Sequence, residues 1–260
     1  MGYRLGDRYV KLSQNPRKGI KRIQDKVNNC YYLFAQQLTN ENFKVIAEVI
    51  IKTKPLFIRG YPDPMLFLAK YIRDNNVILP PIAAINTTGN ILFPEIKALI
   101  EKVFSAPVFD SYSCEGGANA FECDTHNCYH LSMEYAVTEI MSEPKEENSG
   151  KRGRVITTDL HNYAVPFIRY DSQDYVVKSS EQCSCGRKLL AIDKIEGRDS
   201  DILITPKGKY LIDHNFSVYL KSINSIEQFQ IRQDKIDEFN FLLKVNAQYS
   251  SGVEKEIYNY

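Results

Sequence analysis

Four short segments and one cysteine–histidine cluster hold the residue types that could do chemistry in this 260-residue chain. The segments are Asn86-Thr87-Thr88-Gly89, Asp110-Ser111-Tyr112-Ser113-Cys114-Glu115-Gly116-Gly117, Arg169-Tyr170-Asp171-Ser172-Gln173-Asp174 and Gly197-Arg198-Asp199-Ser200-Asp201. Each ends a predicted strand or fills a turn, and in open α/β sheets ligands sit at the carboxyl ends of strands. Small residues let backbone amides approach a ligand closely, an aromatic ring can stack on a base, and a carboxylate can take ribose hydroxyls or hold Mg2+. An arginine fork can bind phosphate or hydroxyl oxygens. Taken singly, each segment also reads as an ordinary polar turn or Asx cap. Their joint order and spacing carry the information.

Cys123, His126, Cys128 and His130 fall within eight residues, and Cys183-Ser184-Cys185 returns downstream. Zinc takes four N or S ligands in a tetrahedron, and two short pairs from separate segments can close one. The favoured set is Cys123 and His130 with Cys183 and Cys185; His126 and Cys128 are the alternates. Buried free thiols beside surface histidines is the competing reading, since Cys-x-Cys is a weaker signal than Cys-x-x-Cys. Four ligands without an open position would make such a site structural. Cys114 follows a predicted strand beside glycines, but no activating histidine is adjacent in sequence. Cys30 lies in an apolar, helix-like stretch and is expected to pack in the core.

The elements that must position these residues alternate along the chain. Phe43, Ile46, Val49 and Ile50 repeat at helical spacing, and Leu56-Phe57-Ile58 is a short apolar run closed by Gly60. Pro64 opens a helix carrying Met65, Leu66, Ala69 and Ile72, and Pro81 to Ile85 reads as a buried strand. Pro94 begins a helix with Ile96, Leu99, Ile100, Val103 and Phe104 on one stripe, followed by a strand from Pro107 to Tyr112. That rhythm predicts an α/β sheet with parallel pairing. Glu143 to Arg154 reads as an exposed turn, and Arg154 to Thr158, Phe167 to Tyr170 and Tyr175 to Lys178 as strands of a more β-rich segment. Past Gly197 a small α+β unit is expected, which divides the chain into residues 1–197 and 198–260.

Composition narrows the classes. Hydrophobic residues make up 43% and charged residues 25%, as in ordinary globular proteins. The net charge of +1, from 33 basic and 32 acidic residues, argues against nucleic-acid and membrane-surface partners. The apolar runs are too short to span a bilayer. The N-terminal Met-Gly-Tyr-Arg-Leu-Gly-Asp-Arg-Tyr does not read as a signal peptide, so a cytoplasmic, reducing setting is expected, which disfavours reading the six cysteines as three disulfides.

In order and spacing, the four segments resemble the adenylate-forming superfamily, specifically its phenylacetate-CoA ligase branch, which includes capsule-biosynthesis and coenzyme F390 synthetase-like proteins. Gly2 to Asn40, with Arg4-Leu5-Gly6-Asp7, is similar to that branch, and Val155 to Arg198, with Val-Pro-Phe-Ile-Arg-Tyr-Asp and Cys-Ser-Cys-Gly-Arg, is the most specific stretch. The resemblance implies the mixed sheet of the large adenylate-forming domain with a β-rich segment, followed by part of a small α+β C-terminal domain. It implies ATP-dependent activation of a small-molecule carboxylate to an acyl-adenylate, then a thioester with coenzyme A, with Mg2+ at the phosphates. By the same resemblance the loop Asn86 to Gly89, with Thr88 and Gly89, lies along the adenine, Asp110 and Tyr112 bond and stack it, and Glu115 helps place Mg2+ and the phosphates. Asp174 would hold the ribose, Arg198 would be its partner, and Asp201 would be the hinge of the small domain. Related enzymes of the branch have a similar Cys…His plus Cys-x-Cys arrangement.

There are departures. Tyr112-Ser113-Cys114-Glu115 is one residue shorter than the usual Tyr-Gly-x-x-Glu, Gln173 replaces a glycine, and Asn90 stands where an acid is common. The family's phosphate loop is not found upstream, and its catalytic lysine would lie beyond Tyr260. The expectation is a chain truncated at both ends, whose adenylation step lacks its main charge stabilisers. The alternative is a non-catalytic, zinc-stabilised nucleotide-binding or interaction fragment.

Overall fold

Helix and strand alternate through the first half of the chain because apolar residues recur there in two periods. In the computed structural model, β1 (Tyr9–Ser13), α1 (Lys21–Val27), β2 (Cys30–Phe34), α2 (Asn40–Thr53), β3 (Phe57–Gly60), α3 (Pro62–Asp74), β4 (Ala84–Thr88), α4 (Pro94–Phe104) and β5 (Val108–Ser113) follow in turn. The structure describes residues 2–13, 16–35, 39–142, 152–198, 202–204, 206, 210–212, 219–221 and 223–259. The chain divides into two compact units, Met1–Glu196 and Gly197–Tyr260.

The five strands pair in parallel in the order β2-β1-β3-β4-β5. The chain runs outward from β1 to β2, then crosses back to β3 on the other side of β1. That reversal is a topological switch point between β1 and β3, where a crevice opens beyond the strands' carboxyl ends. Helix α2 packs on α3 and α3 on α4, as right-handed crossovers in one direction require. Thr39 caps α2, its hydroxyl accepting the Asn42 N–H at 3.3 Å, and Phe43, Ile46, Ala47 and Ile50 are buried. Helix α3 opens on Pro62 rather than Pro64, because proline suits the first helical position.

From β5 onward the sheet turns antiparallel. Strands β6 (Asn119–Glu122), β7 (Tyr129–Leu131), β8 (Ala136–Ser142), β9 (Arg152–Asp159), β10 (Tyr170–Lys178) and β11 (Ala191–Arg198) continue it in the order β5-β6-β7-β11-β10-β9-β8. The result is one mixed sheet of eleven strands, as expected of the large adenylate-forming domain. The second unit holds the pairs β12 (Ile202–Ile204) with β13 (Tyr210–Ile212) and β14 (Ile226–Lys235) with β15 (Glu238–Val245), then α5 (Ser251–Asn259). Among the described residues no helix is long and apolar enough to cross a membrane.

Three expectations need correction. Cys30 is buried, but on strand β2: the run Cys-Tyr-Tyr-Leu-Phe is rich in aromatics that suit a pleated surface. Arg152 to Arg154 belong to β9 rather than to an exposed turn. A side chain at Gly153 would lie 2.7 Å from the Ile140 side chain, so the glycine permits close pairing with β8; residues 143–151 lie outside the described residues. Phe167 to Arg169 precede β10 instead of forming a strand, and Arg169 has φ 48°.

Ile85, fully buried on β4 between β3 and β5, reports on this packing. Ile85→Ala is expected to lower unfolding stability by about 2–5 kcal/mol in urea titrations, and a loss below about 1 kcal/mol would contradict the central placement of β4.

Candidate functional site

The carboxyl ends of β4 and β5 bring the first two segments side by side. Thr88 ends β4 and Gly89 follows it with φ 91°, a conformation glycine adopts without strain. A side chain there would lie 2.4 Å from the Tyr61 ring, which covers the turn. Thr88, Gly89, Tyr61 and Ser113 line one cavity of about 220 Å3.

The third segment reaches this edge through β10. The Tyr112 hydroxyl donates to Asp174 Oδ2 at 2.7 Å, joining residues 62 apart in sequence. Both are buried, Tyr112 8% and Asp174 7% exposed. The tyrosine ring packs in an apolar cluster with Ala118, Leu131, Val155 and Val176, so the hydroxyl, not the ring face, is directed at the aspartate. The Asp174 N–H donates to Ser172 Oγ at 3.1 Å. Gln173, in the place of a glycine, still takes φ 62°; its N–H donates to Asp171 Oδ1 at 2.9 Å, an Asx-type bond that secures the turn.

The turn that carries Glu115 lies against β9. Thr157 Oγ1 donates to the Gly116 carbonyl at 3.1 Å, and a side chain at Gly116 would sit 2.4 Å from Thr157. Two glycines therefore let the shortened turn lie flat and leave Glu115 exposed at its tip.

Asp110 is placed differently from its neighbours. Its carboxylate is buried, accepting the Thr87 hydroxyl at 2.5 Å and the Tyr129 hydroxyl at 3.0 Å. Its backbone N–H donates to Glu122 Oε2 at 2.8 Å. Both oxygens are thus engaged inside the sheet, and burial pushes the carboxyl pKa up to about 6. Arg198 is exposed at the end of β11, and Asp201 lies outside the described residues, as do Asp199 and Ser200. Sequence reasoning missed Thr87, Glu122 and Tyr129 as partners of Asp110; Tyr129 could have been found from its place between Cys128 and His130.

The cysteine–histidine cluster closes in space. Ligand atoms of Cys123, Cys128, His130 and Cys183 all lie within 4.8 Å of one another. Cys123 Sγ is 3.6 Å from Cys183 Sγ, and Cys185 Sγ is 3.2 Å from His130 Nε2. Three of the four expected donors, Cys123, His130 and Cys183, are therefore together; the alternate Cys128 is the fourth member of the group, and Cys185 lies against His130 as a fifth donor. His126 points elsewhere, stacking on Phe109 with its Nδ1 3.2 Å from Lys97 Nζ. The cysteines are free thiols, and His130 Nδ1 is buried with no hydrogen-bond partner among the described residues. The Thr125 hydroxyl beside it lowers the Cys183 thiol to about 6, and burial raises Cys128 to about 12. Three thiols and an imidazole at this separation fit a tetrahedral zinc ion.

No protein-family model matches the chain. Protein CapK of Staphylococcus aureus is 25% identical over 253 residues, covering 93% of this chain and 53% of CapK. Phenylacetate-coenzyme A ligase of Thermus thermophilus is 26% identical over 135 residues, 49% of this chain and 30% of that protein. The structure of 2-hydroxyisobutyryl-CoA ligase in the postadenylation state, in complex with R3-HIB-AMP, superposes with a TM-score of 0.71 and 18% identity over 98% of this chain and 58% of that one. The chain has the adenylate-forming ligase fold. The anthranilate CoA ligase AuaEII in complex with anthranoyl-AMP shares this fold at a TM-score of 0.66 and 10% identity, over 100% of this chain and 53% of that one. Sequence relatives and fold together support the adenylate-forming superfamily. The chain spans about half the length of CapK and less of the Thermus ligase.

Asp110 makes stability pH-dependent. Its folded pKa of about 6 exceeds the ordinary carboxyl value, so the folded state binds more protons between about pH 4 and pH 6. The contribution therefore falls as pH rises through that window, by about 3 kcal/mol. Asp110→Asn is expected to flatten this part of the stability curve in urea titrations from pH 4 to 7; an unchanged slope would contradict the buried placement.

Proposed function

We propose that this chain is the nucleotide- and acyl-binding part of an adenylate-forming acyl-CoA ligase of the phenylacetate-CoA ligase type. The observation that carries the reading is the buried Tyr112–Asp174 hydrogen bond, Tyr112 lying on β5 next to the β4 strand that ends in the Thr88–Gly89 turn; in this reading the pair and the turn receive the ribose and its base. Asp174 accepts the ribose hydroxyls, and the amides of the turn lie along the adenine. Glu115, free to extend from its turn, would hold Mg2+ at the phosphates, where the ion supplies charge neutralisation. Arg198 and Asp201 keep the roles that the resemblance implies. Residues 1–197 would then be part of the large domain and 198–260 the start of the small one.

In the reaction, a carboxylate oxygen of the acid attacks the α-phosphorus of ATP in line. The bond from that phosphorus to the pyrophosphate oxygen breaks, leaving an acyl-adenylate. The thiolate of coenzyme A then attacks the acyl carbon, and AMP leaves. The acid is already ionised, so the first step asks for positioning and charge neutralisation rather than a general base. A non-catalytic, zinc-stabilised fragment is the less favoured reading, because the relatives and structural neighbours named above include several ligases.

Two outcomes are expected. AMP binding by calorimetry should weaken at least tenfold in Asp174→Ala, and an unchanged affinity would remove the ribose assignment. Cys123, Cys128, His130 and Cys183, with Cys185 in reserve, would hold a structural zinc tying the β6–β7 turn to the loop before β11. Elemental analysis should find about one zinc per chain, and Cys183→Ser or chelation should lower the thermal midpoint. A chain purified with zinc supplied yet carrying none would contradict this.

A further inference from the structure

The cavity at the switch point is cationic at its β1–β3 end, where Lys11 is half-buried and Arg59 is exposed. Lys11 on β1 and Arg59 on β3 are register partners, so both side chains leave the sheet on the same face. Both line the cavity of about 220 Å3 whose other end is formed by Thr88, Gly89 and Ser113. Neither is in an ion pair with another described residue. Asp25 acts on Lys11 from α1, but Arg17 already grips both of its oxygens at 2.9 Å. Burial, then the Arg59 and Arg17 charges, hold the Lys11 ammonium below its ordinary range. Two like charges that line one concave site, with no counter-ion among the described residues, favour an anionic ligand.

The two ends of the cavity fit two ends of one molecule. By the reading above, the Gly89–Ser113 end faces the nucleotide, so the carboxylate to be activated belongs there. An arginine fork and an ammonium at the far end suit a second carboxylate, which an arginine binds through paired N–H donors. The volume lies below the ~300 Å3 at which sites for drug-sized ligands begin, so the spacer between the two acids is short. We propose that the acid bound by this chain is a small dicarboxylate, one carboxylate presented for adenylation and the other held between Lys11 and Arg59. This rests on the adenylate-forming reading for which carboxylate reacts, but the anion site itself rests on the cavity alone.

The test is calorimetry on the whole chain with glutarate and with pentanoate, acids of equal carbon number that differ by one carboxylate, with AMP binding measured on the same sample. Glutarate is expected to bind at least tenfold tighter than pentanoate. Arg59→Gln and Lys11→Met should each remove most of that preference, and Arg59→Lys should retain part of it, with circular dichroism confirming that each variant is folded. Equal affinities for the two acids would overturn the proposal. So would a glutarate preference that survives both charge removals, an absence of glutarate binding, or displacement of glutarate by AMP. Selective glutarate binding by a chain that does not bind AMP would sustain the anion site while contradicting the nucleotide reading.

Discussion

A single buried carboxylate joins the two halves of the sheet. Asp110 sits on β5, the strand where parallel pairing with β4 gives way to antiparallel pairing with β6. Its oxygens accept hydroxyls from Thr87 on β4 and Tyr129 on β7, and its amide is held by Glu122 on β6. A buried carboxyl is costly to leave unpartnered, so this network is stable only with all four strands in register. That register sets where β5 ends, and with it the positions of Tyr112, Ser113 and the turn bearing Glu115.

From that joint the chemistry spreads in two directions. Toward β10, Tyr112 reaches Asp174, the pair proposed to hold the ribose. Toward β1 and β3, the carboxyl edge of the parallel strands opens into the cavity between Gly89 and the Lys11–Arg59 pair. The cysteine–histidine cluster lies on the third side, since Cys128 and His130 flank Tyr129 in sequence. Strands and the short turns that end them, rather than long loops, therefore carry the residues proposed to bind ligand, an arrangement that suits catalysis by positioning.

What was legible in the sequence follows from which faces are buried. Helices α2, α3 and α4 each bury one stripe on the sheet, so their 3.6-residue spacing could be read directly. Helix α1 was not legible, because its pattern is inverted: Asp25 is buried against Arg17, while Ile23 and Val27 are 62% and 77% exposed. Strands β6, β7 and β8 are short or mixed in polarity, too weak a signal for period-2 reading. The four site segments were legible as ordered turns, but the contact between Tyr112 and Asp174 depends on strand order, which no local pattern encodes. The cysteine–histidine cluster was legible as a group; Cys128 joins it because residues two apart near a strand share a face, whereas His126 is drawn off by Glu122, Lys97 and Phe109.

The placement of the nucleotide is tested most directly by amide hydrogen exchange on the whole chain with and without AMP. Binding at the β4–β10 corner predicts slowed exchange in peptides covering residues 86–89 and 172–175, with β14 and β15 unaffected. Saturating AMP that slows exchange only in the second unit, or leaves both of those segments unchanged, would contradict the site.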